Sequence, residues 1–218
     1  CLLSRGLGDV YKRQTLDSEE NQLLLDWNIT KEKKIILMPG RLTNWKGQEI
    51  FIEAINLVNK ELGYQAFFAI ILGSNQGREV YAKKIKRLAE QHRLTGQLKF
   101  IQHCTNMPLA YKVSDFVVSA SIEPEAFGRV AVEAQSMGKV IIASNIGGSN
   151  ETIINNKTGF LFETGNSVSL SKKIIEVLNL EESTLKSMGI EGRKNVIKKF
   201  NVEKMCFSTY SEYKKLLN

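Results

Sequence analysis

The chain of 218 residues is 43% hydrophobic and 24% charged, a composition typical of one soluble globular domain. It contains no uninterrupted apolar run of about 18 residues, so the sequence predicts no membrane-spanning helix. A net charge of +7 is compatible with binding to nucleic acid, to an anionic membrane surface or to a phosphorylated substrate. A solvated lysine-rich surface, however, explains most of this charge. Because no aromatic residues interleave with the basic runs, we expect no nucleic-acid partner.

The first 14 residues, Cys1 to Gln14, have neither a starting methionine nor the architecture of a signal peptide. They resemble junction sequence added by cloning or assembly, so residues 1–14 are predicted to be a non-native or disordered leader. The domain is then predicted to comprise residues 15–218. Cys1, Cys104 and Cys206 are far apart and provide neither a metal-ligand spacing nor a disulfide framework, which favours a reducing cytosol.

From Lys34 onward, short apolar runs of the β type alternate with longer amphipathic segments. Strands are predicted at Lys34–Met38, Ala66–Leu72, Leu98–Ile101, Asp115–Ser119, Val140–Ala143 and Gly159–Phe162. Helices are predicted at Glu49–Leu62, Glu79–His92 and Arg129–Met137, and from Ser167 almost to the C-terminus. Strands that are apolar on both faces and joined by helices predict an α/β fold with a Rossmann-like, doubly wound parallel sheet. Ligands then bind outside the carboxyl ends of the strands.

The loop after the first predicted strand runs from Gly40 to Gly47 and contains Arg41 and Lys46. Glycines at both ends let the backbone approach a ligand closely. A forked guanidinium and a compact ammonium suit a diphosphate. Two loop cations in solvent explain this segment equally well. It is not a Walker loop, since no Gly-x4-Gly-Lys-Ser/Thr occurs.

A second group of polar residues follows the fourth predicted strand. Gly128 is placed to begin a helix, whose free N–H groups and positive dipole end form an anion site. Glu125 lies just before this helix, and Glu133 lies one turn into it on the face of Arg129. The order of carboxylate, amides and carboxylate fits a linear ligand such as a sugar–diphosphate–ribose.

A third loop, around the paired glycines Gly147 and Gly148, follows the fifth predicted strand. The glycines permit backbone contact with a ligand, and Ser149 is expected to cap the next helix. A tight turn without a ligand explains this loop nearly as well.

Together these motifs resemble glycosyltransferase family 4. The resemblance rests on Gly-Arg-x4-Lys-Gly, then Glu-x-Phe-Gly-x4-Glu-Ala, then the Gly-Gly loop before Glu151 and the segment Thr158–Leu161. It extends from about Lys34 to the end of the chain. The segment Glu123–Arg129 resembles bacterial members that build lipopolysaccharide or other cell-envelope glycans. The family implies a GT-B fold whose C-terminal Rossmann-like domain holds the donor, and sugar transfer with retention of configuration and without a bound metal.

By this resemblance, Arg41 and Lys46 hold the donor diphosphate and Glu133 holds the ribose hydroxyls. Glu125 meets the transferred sugar, so Glu125, Arg41 and Lys46 are the predicted catalytic residues. Their predicted donor-binding neighbours are Gly40, Phe127, Gly128, Arg129 and Val130. His103 follows the third strand and is predicted to approach the base. The family's N-terminal domain, with its acceptor site and a sugar-facing histidine, is expected to be absent.

We therefore expect a donor-binding domain of a hexosyltransferase that uses a nucleotide-diphospho-sugar and needs no cofactor or metal, since no Asp-x-Asp pair is present. The expected acceptor is a glycan or a lipid-linked glycan. The expected location is the cytoplasm, with peripheral contact at the inner membrane as an option. On its own the chain is expected to bind donor but turn over poorly. A GT-B sugar-nucleotide epimerase and a non-catalytic nucleotide-binding module remain alternatives.

Overall fold

The structure is a computed structural model that describes residues 17–63 and 67–217. The strands are β1 (Lys34–Pro39), β2 (Phe67–Leu72), β3 (Leu98–Ile101), β4 (Phe116–Ser119), β5 (Val140–Ser144) and β6 (Gly159–Phe162). The helices are α1 (Asp17–Asp26), α2 (Gln48–Leu62), α3 (Glu79–Gln91), α4 (Met107–Val113), α5 (Arg129–Ser136), α6 (Ser149–Thr152), α7 (Ser167–Leu178), α8 (Glu182–Lys199) and α9 (Val202–Leu217). A short 3-10 helix covers Asn44–Lys46. The predicted leader, residues 1–14, lies outside the described residues, as does Ala66 at the predicted start of β2.

The six strands form one sheet in the order β3-β2-β1-β4-β5-β6, and every neighbouring pair is parallel. The predicted α/β fold with a parallel sheet is therefore confirmed. The chain moves outward in one direction from β1 to β3, then returns to β4 beside β1 and moves outward in the other direction. This reversal makes the crevice between β1 and β4 the topological switch point, where doubly wound sheets bind ligands.

Alternate residues of each strand face opposite layers of helices. Ile36 and Met38 of β1 belong to the core covered by α2, α3 and α7, whereas Ile35 and Leu37 belong to the core covered by α1, α4 and α5. All four side chains are buried. The sheet is thus apolar on both faces, as the continuous hydrophobic runs predicted.

The sequence prediction missed two helices and joined three others. α1 contributes Leu24 to the core, and Trp27 and Ile29 just after it are also buried. α4 has only 7 residues, and its start is set by Asn106, whose side chain accepts the Leu109 N–H at 3.2 Å. Such short elements show too few turns for a clear hydrophobic period. The predicted continuous helical region after Ser167 is broken into α7, α8 and α9.

The last helix, α9, differs from the others because its large apolar side chains are exposed. Phe207 is 71% exposed and Leu216 82% exposed, and Tyr210 and Tyr213 are exposed between them. None of the helices in the described part of the chain combines the length and the apolarity needed to cross a membrane.

Candidate functional site

The loops that follow β1 and β4 meet at the switch point through a close backbone contact. A Cβ added to Gly47 would lie 1.9 Å from the carbonyl oxygen of Ala120, and the φ of Gly47 is +72°. Only glycine fits both conditions. The Ile122 N–H also donates to the Trp45 carbonyl at 2.8 Å. Gly47 therefore fixes the distance between the two loops that carry the predicted site residues.

An ion pair joins these loops. Lys46 Nζ lies 2.7 Å from Oε1 of Glu125, and the two side chains are only 12% and 18% exposed. The buried Ser121 hydroxyl donates to the same carboxylate oxygen. Lys46 Nζ also lies 4.4 Å from the centre of the Trp45 ring. The structure thus brings together two residues that the resemblance assigns to neighbouring parts of one ligand.

Arg41 lies in the same loop with its side chain exposed, and its guanidinium carbon is 6.0 Å from the centre of the Trp45 ring. Among the described residues, no carboxylate lies within ion-pair distance of it. The backbone behind it is fixed, since the Gln48 side chain donates to the Arg41 carbonyl at 2.9 Å and the Tyr81 hydroxyl donates to Gln48 at 3.1 Å. Arg41 therefore presents a charge from an ordered loop.

Gly40 begins this loop and lies against the loop after β2. The Gly40 N–H donates to the Leu72 carbonyl at 2.9 Å, and a Cβ on Gly73 would come within 2.0 Å of the Gly40 oxygen. The close contact between Gly40 and Gly73 therefore holds the loop Gly40–Gly47, here called the cation loop, at the carboxyl edge of the sheet.

The start of α5 lies on the β4 side of the crevice. Gly128 is the N-cap residue and has a φ of +71°, a conformation that favours glycine. The first bond of this helix runs from the Ala131 N–H to the Gly128 carbonyl at 3.0 Å. The N–H groups of Arg129 and Val130 precede that bond and lie at the positive end of the helix dipole. Val130 itself packs against the core, and the Arg129 side chain is exposed.

Glu133 lies one turn into α5 and has a partner on each carboxylate oxygen. The Tyr111 hydroxyl donates to Oε2 at 2.8 Å, and Arg129 lies 3.4 Å from Oε1. Burial raises the pKa of Tyr111 well above its usual range, and the Glu133 carboxylate raises that pKa further. The predicted placement of Arg129 and Glu133 on one face of the helix is confirmed.

The glycine pair after β5 contacts the protein itself. A Cβ on Gly147 would lie 2.7 Å from the backbone carbonyl oxygen of Glu125, and one on Gly148 would lie 2.5 Å from the Phe127 carbonyl carbon. The Gly148 N–H donates to the Glu125 carbonyl at 2.8 Å. These glycines therefore support the segment that carries Glu125. The expectation that Ser149 caps the next helix is wrong, because Gly148 is the N-cap residue and no side chain caps it.

The remaining predicted residues lie at the border of the site or beyond it. Phe127 packs edge to face against Phe200, with ring centres 5.6 Å apart. His103 is exposed just beyond β3, two strands away from β1.

Three side chains of this region were not predicted. Ser121 and Trp45 contact Glu125 and Lys46, and Tyr111 contacts Glu133. Nothing in the local sequence marks Ser121 or Trp45. Tyr111 belongs to the short helix α4, which the sequence prediction missed. Within residues 17–63 and 67–217, no cluster of three His, Cys, Asp or Glu side chains could hold a metal ion.

A comparison with known protein families identifies the family of this chain. The family described as glycosyl transferases group 1 matches residues 21–195. The chain belongs to this family. The resemblance read from the motifs is therefore confirmed, and the match covers both loops of the switch point and α5.

The chain is similar to longer glycosyltransferases. An uncharacterised glycosyltransferase of Methanocaldococcus jannaschii is 28% identical over 92% of this chain. The crystal structure of a Rickettsia africae glycosyltransferase matches 96% of this chain with a TM-score of 0.88 and 31% identity. Anabaena HepE, crystallised in complex with UDP-glucose, matches 94% with a TM-score of 0.82 and 25% identity. This chain spans 64% of the M. jannaschii protein and 55% of each crystallised chain.

Proposed function

We propose that this chain is the donor-binding domain of a retaining, metal-independent glycosyltransferase that uses a nucleotide-diphospho-sugar. One observation carries the proposal. At the switch point between β1 and β4, the loop that carries Arg41 and Lys46 meets the segment that leads into α5 and Glu133 through the ion pair between Lys46 and Glu125. The similarity to HepE, which binds UDP-glucose, supports a donor of this class.

In this proposal the diphosphate lies between the cation loop and α5. Arg41 binds one phosphate as a fork, and Lys46 binds as a point charge. The N–H groups of Arg129 and Val130 meet the same anion at the positive end of the helix dipole. Since Lys46 already contacts Glu125 at 2.7 Å, the diphosphate must share or displace that ion pair.

The other parts of the donor extend on either side of the diphosphate. Glu133 accepts hydrogen bonds from the ribose hydroxyls, and Glu125 accepts hydrogen bonds from the transferred sugar. The backbone at Phe127 and Gly128 assists at the sugar. His103, two residues beyond β3, is proposed to approach the base.

During transfer, the bond between the anomeric carbon and the diphosphate breaks and negative charge develops on the leaving phosphate. Arg41, Lys46 and the start of α5 stabilise that charge without a metal. Groups of this kind are typically worth about 3–4 kcal/mol each when removed. The acceptor, a glycan or a lipid-linked glycan at the cytoplasmic face of the inner membrane, would be bound by a domain that precedes this one in the whole protein. The isolated chain would then bind donor without efficient transfer.

Calorimetric titration with UDP-, GDP- and ADP-sugars tests the donor class. We expect one series to bind, and we expect EDTA to leave its affinity unchanged. Failure of every sugar nucleotide to bind would contradict the proposal, and a tenfold loss on chelation would contradict metal independence.

The whole protein tests the reaction. Transfer to an added acceptor with the anomeric configuration of the donor retained, measured by NMR, is the expected result. Conversion of the sugar nucleotide without an acceptor would indicate an epimerase. Binding without any turnover would indicate a nucleotide-binding module.

A further inference from the structure

The two carboxylate oxygens of Glu133 have very different surroundings. Oε2 accepts a hydrogen bond from the Tyr111 hydroxyl at 2.8 Å. Oε1 faces Arg129 at 3.4 Å, and that arginine side chain is 68% exposed. A long ion pair with an exposed arginine restrains a carboxylate only weakly. The firmer contact is therefore the one between Oε2 and Tyr111, whereas Oε1 has a longer ion pair with an exposed arginine.

Tyr111 is held far more rigidly than the carboxylate it contacts. It is 1% exposed and is among the largest fully buried side chains of the chain. It belongs to the core between the sheet and α1, α4 and α5, together with Leu37 and Ala134. Its helix is fixed at the start by the Asn106 cap. The tyrosine hydroxyl therefore has one position from which to donate.

The hydroxyl is also a permanent donor near neutral pH. Burial and the adjacent Glu133 carboxylate both raise the pKa of Tyr111, so it does not ionise in the physiological range. A neutral phenol that donates to a carboxylate fixes which oxygen points inward. A glutamate side chain without such a donor would sample several rotamers and lose that freedom on binding.

From this geometry we infer that Tyr111 is a positioning residue for nucleotide recognition: it holds Oε2 of Glu133 so that Oε1 is aimed at the ribose hydroxyls. The inference rests on the proposed function, because the ribose is the partner proposed for Glu133. Tyr111 touches no part of the ligand itself. Its effect is to pre-organise the carboxylate and so lower the cost of binding.

The test compares nucleotides that differ only in the ribose hydroxyls. Wild type, Tyr111→Phe, Glu133→Ala and the double variant with both changes are each titrated with the ribonucleoside diphosphate that binds wild type and with its 2′,3′-dideoxy form. Wild type should prefer the ribonucleotide by about tenfold, the size expected for hydrogen bonds to a charged group. Tyr111→Phe should lose most of this preference. The double variant should show the same preference as Glu133→Ala alone.

Two further variants make the result specific. Ser171→Ala removes a buried hydroxyl on α7, which donates to the Val168 carbonyl at 2.9 Å, and should retain the full ribose preference. Glu133→Asp keeps the charge but withdraws the carboxylate from Tyr111, and should lose the preference without altering the buried core. The preference is a ratio within one preparation, so a partly unfolded fraction lowers both signals and leaves the ratio intact.

The outcomes separate this inference from the proposed function. If wild type binds no nucleoside diphosphate, the proposed function fails and the inference fails with it. If wild type prefers ribonucleotides and Glu133→Ala abolishes the preference, but Tyr111→Phe retains it, only the inference is overturned. Equal weakening of both nucleotides by Tyr111→Phe would also overturn it, because that pattern indicates a structural role.

Discussion

Strands β1 and β4 lie side by side, and a lysine–carboxylate pair joins them at each end. At the amino end, Lys34 Nζ lies 3.1 Å from the Asp115 carboxylate. At the carboxyl end, Lys46 Nζ lies 2.7 Å from the Glu125 carboxylate. Both pairs join a lysine to a carboxylate across the same two strands. The differences between them therefore show how the carboxyl end, where the site is proposed, departs from the rest of the sheet.

The amino-end pair is part of the sheet. Asp115 also accepts the Ile35 N–H at 2.7 Å and donates its own N–H to the Ile35 carbonyl at 2.8 Å. Nearby, Lys139 donates to the carbonyl oxygens of Lys112 and Ser114 at 2.9 and 2.7 Å. Polar groups at this end satisfy one another and extend the ladder between β1 and β4.

The carboxyl-end pair lies on loops beyond the sheet. Lys46 and Glu125 are less exposed than Lys34 and Asp115, yet neither makes a side-chain bond to strand backbone among the contacts of the described residues. The exposed cation Arg41 and the start of α5 lie beside them. An ion pair without a backbone role can be exchanged for a ligand, which supports the proposal that the donor binds at this edge of the sheet.

The largest expected difference concerns the two lysines. Lys46→Ala should weaken binding of the nucleoside diphosphate by about 1.5–3 kcal/mol, roughly ten- to a hundredfold, because it removes a cation and leaves Glu125 unpaired near the phosphates. Lys34→Ala should leave the affinity unchanged. Calorimetry on both variants measures the contrast, and equal losses would remove the distinction between the two ends.

At the amino end, loss of the carboxylate should lower the stability of the fold rather than the ligand affinity. Asp115→Ala should lower the free energy of unfolding by about 1–3 kcal/mol, because the Ile35 N–H loses its carboxylate acceptor. Urea denaturation measures the change, with Glu182→Ala as a control. That control removes an exposed pair with Lys186 and should leave stability nearly unchanged. A ligand-affinity loss for Asp115→Ala at full stability would contradict this division.

Glu125→Ala sharpens the role of the carboxyl-end pair. It should weaken the full sugar nucleotide by about 1 kcal/mol, about fivefold, because its proposed partner is the sugar. Binding of the nucleoside diphosphate should be unchanged or tighter, since Lys46 is released from Glu125. Titrating both ligands checks the difference. Weaker binding of the nucleoside alone would show that the roles of Glu125 and Glu133 are reversed.

The smallest expected effect concerns the predicted leader. Deleting residues 1–14 should leave the melting temperature and the nucleotide affinity nearly unchanged, because the leader is predicted to be foreign to the domain. Thermal denaturation and calorimetry of the truncated chain measure both. A fall of several degrees would show that the leader packs on the domain.

The sequence predicted the sheet well because its strands are buried on both faces and read as continuous apolar runs. β3 and β6 have the predicted bounds, and β1, β4 and β5 differ by one residue at one end. The helix α4 was missed because its 7 residues show too few turns for a clear helical period. The cation loop and the two glutamates were predicted from the order and spacing of their glycines and charges. Their roles toward a donor stay predictions.

The supporting contacts could not be predicted, because they depend on distance in space. Ser121 and Lys46 are 75 residues apart in the chain and meet on one oxygen of Glu125. Tyr111 reaches Glu133 from a different helix. Likewise, the sequence left open whether Gly147 and Gly148 contact a ligand or only form a tight turn, and the neighbour that requires their small size is the Glu125–Phe127 segment.

The central claim is that the donor binds at the carboxyl edge of β1 and β4, and an NMR titration tests it most directly. Amide shifts of the 15N-labelled chain are followed as the tightest-binding sugar nucleotide is added. The largest changes should occur at Gly40, Arg41, Gly128 and Arg129, with little change at Asp115. Changes centred on the amino end around Asp115, with the cation loop and the start of α5 unmoved, would contradict the account.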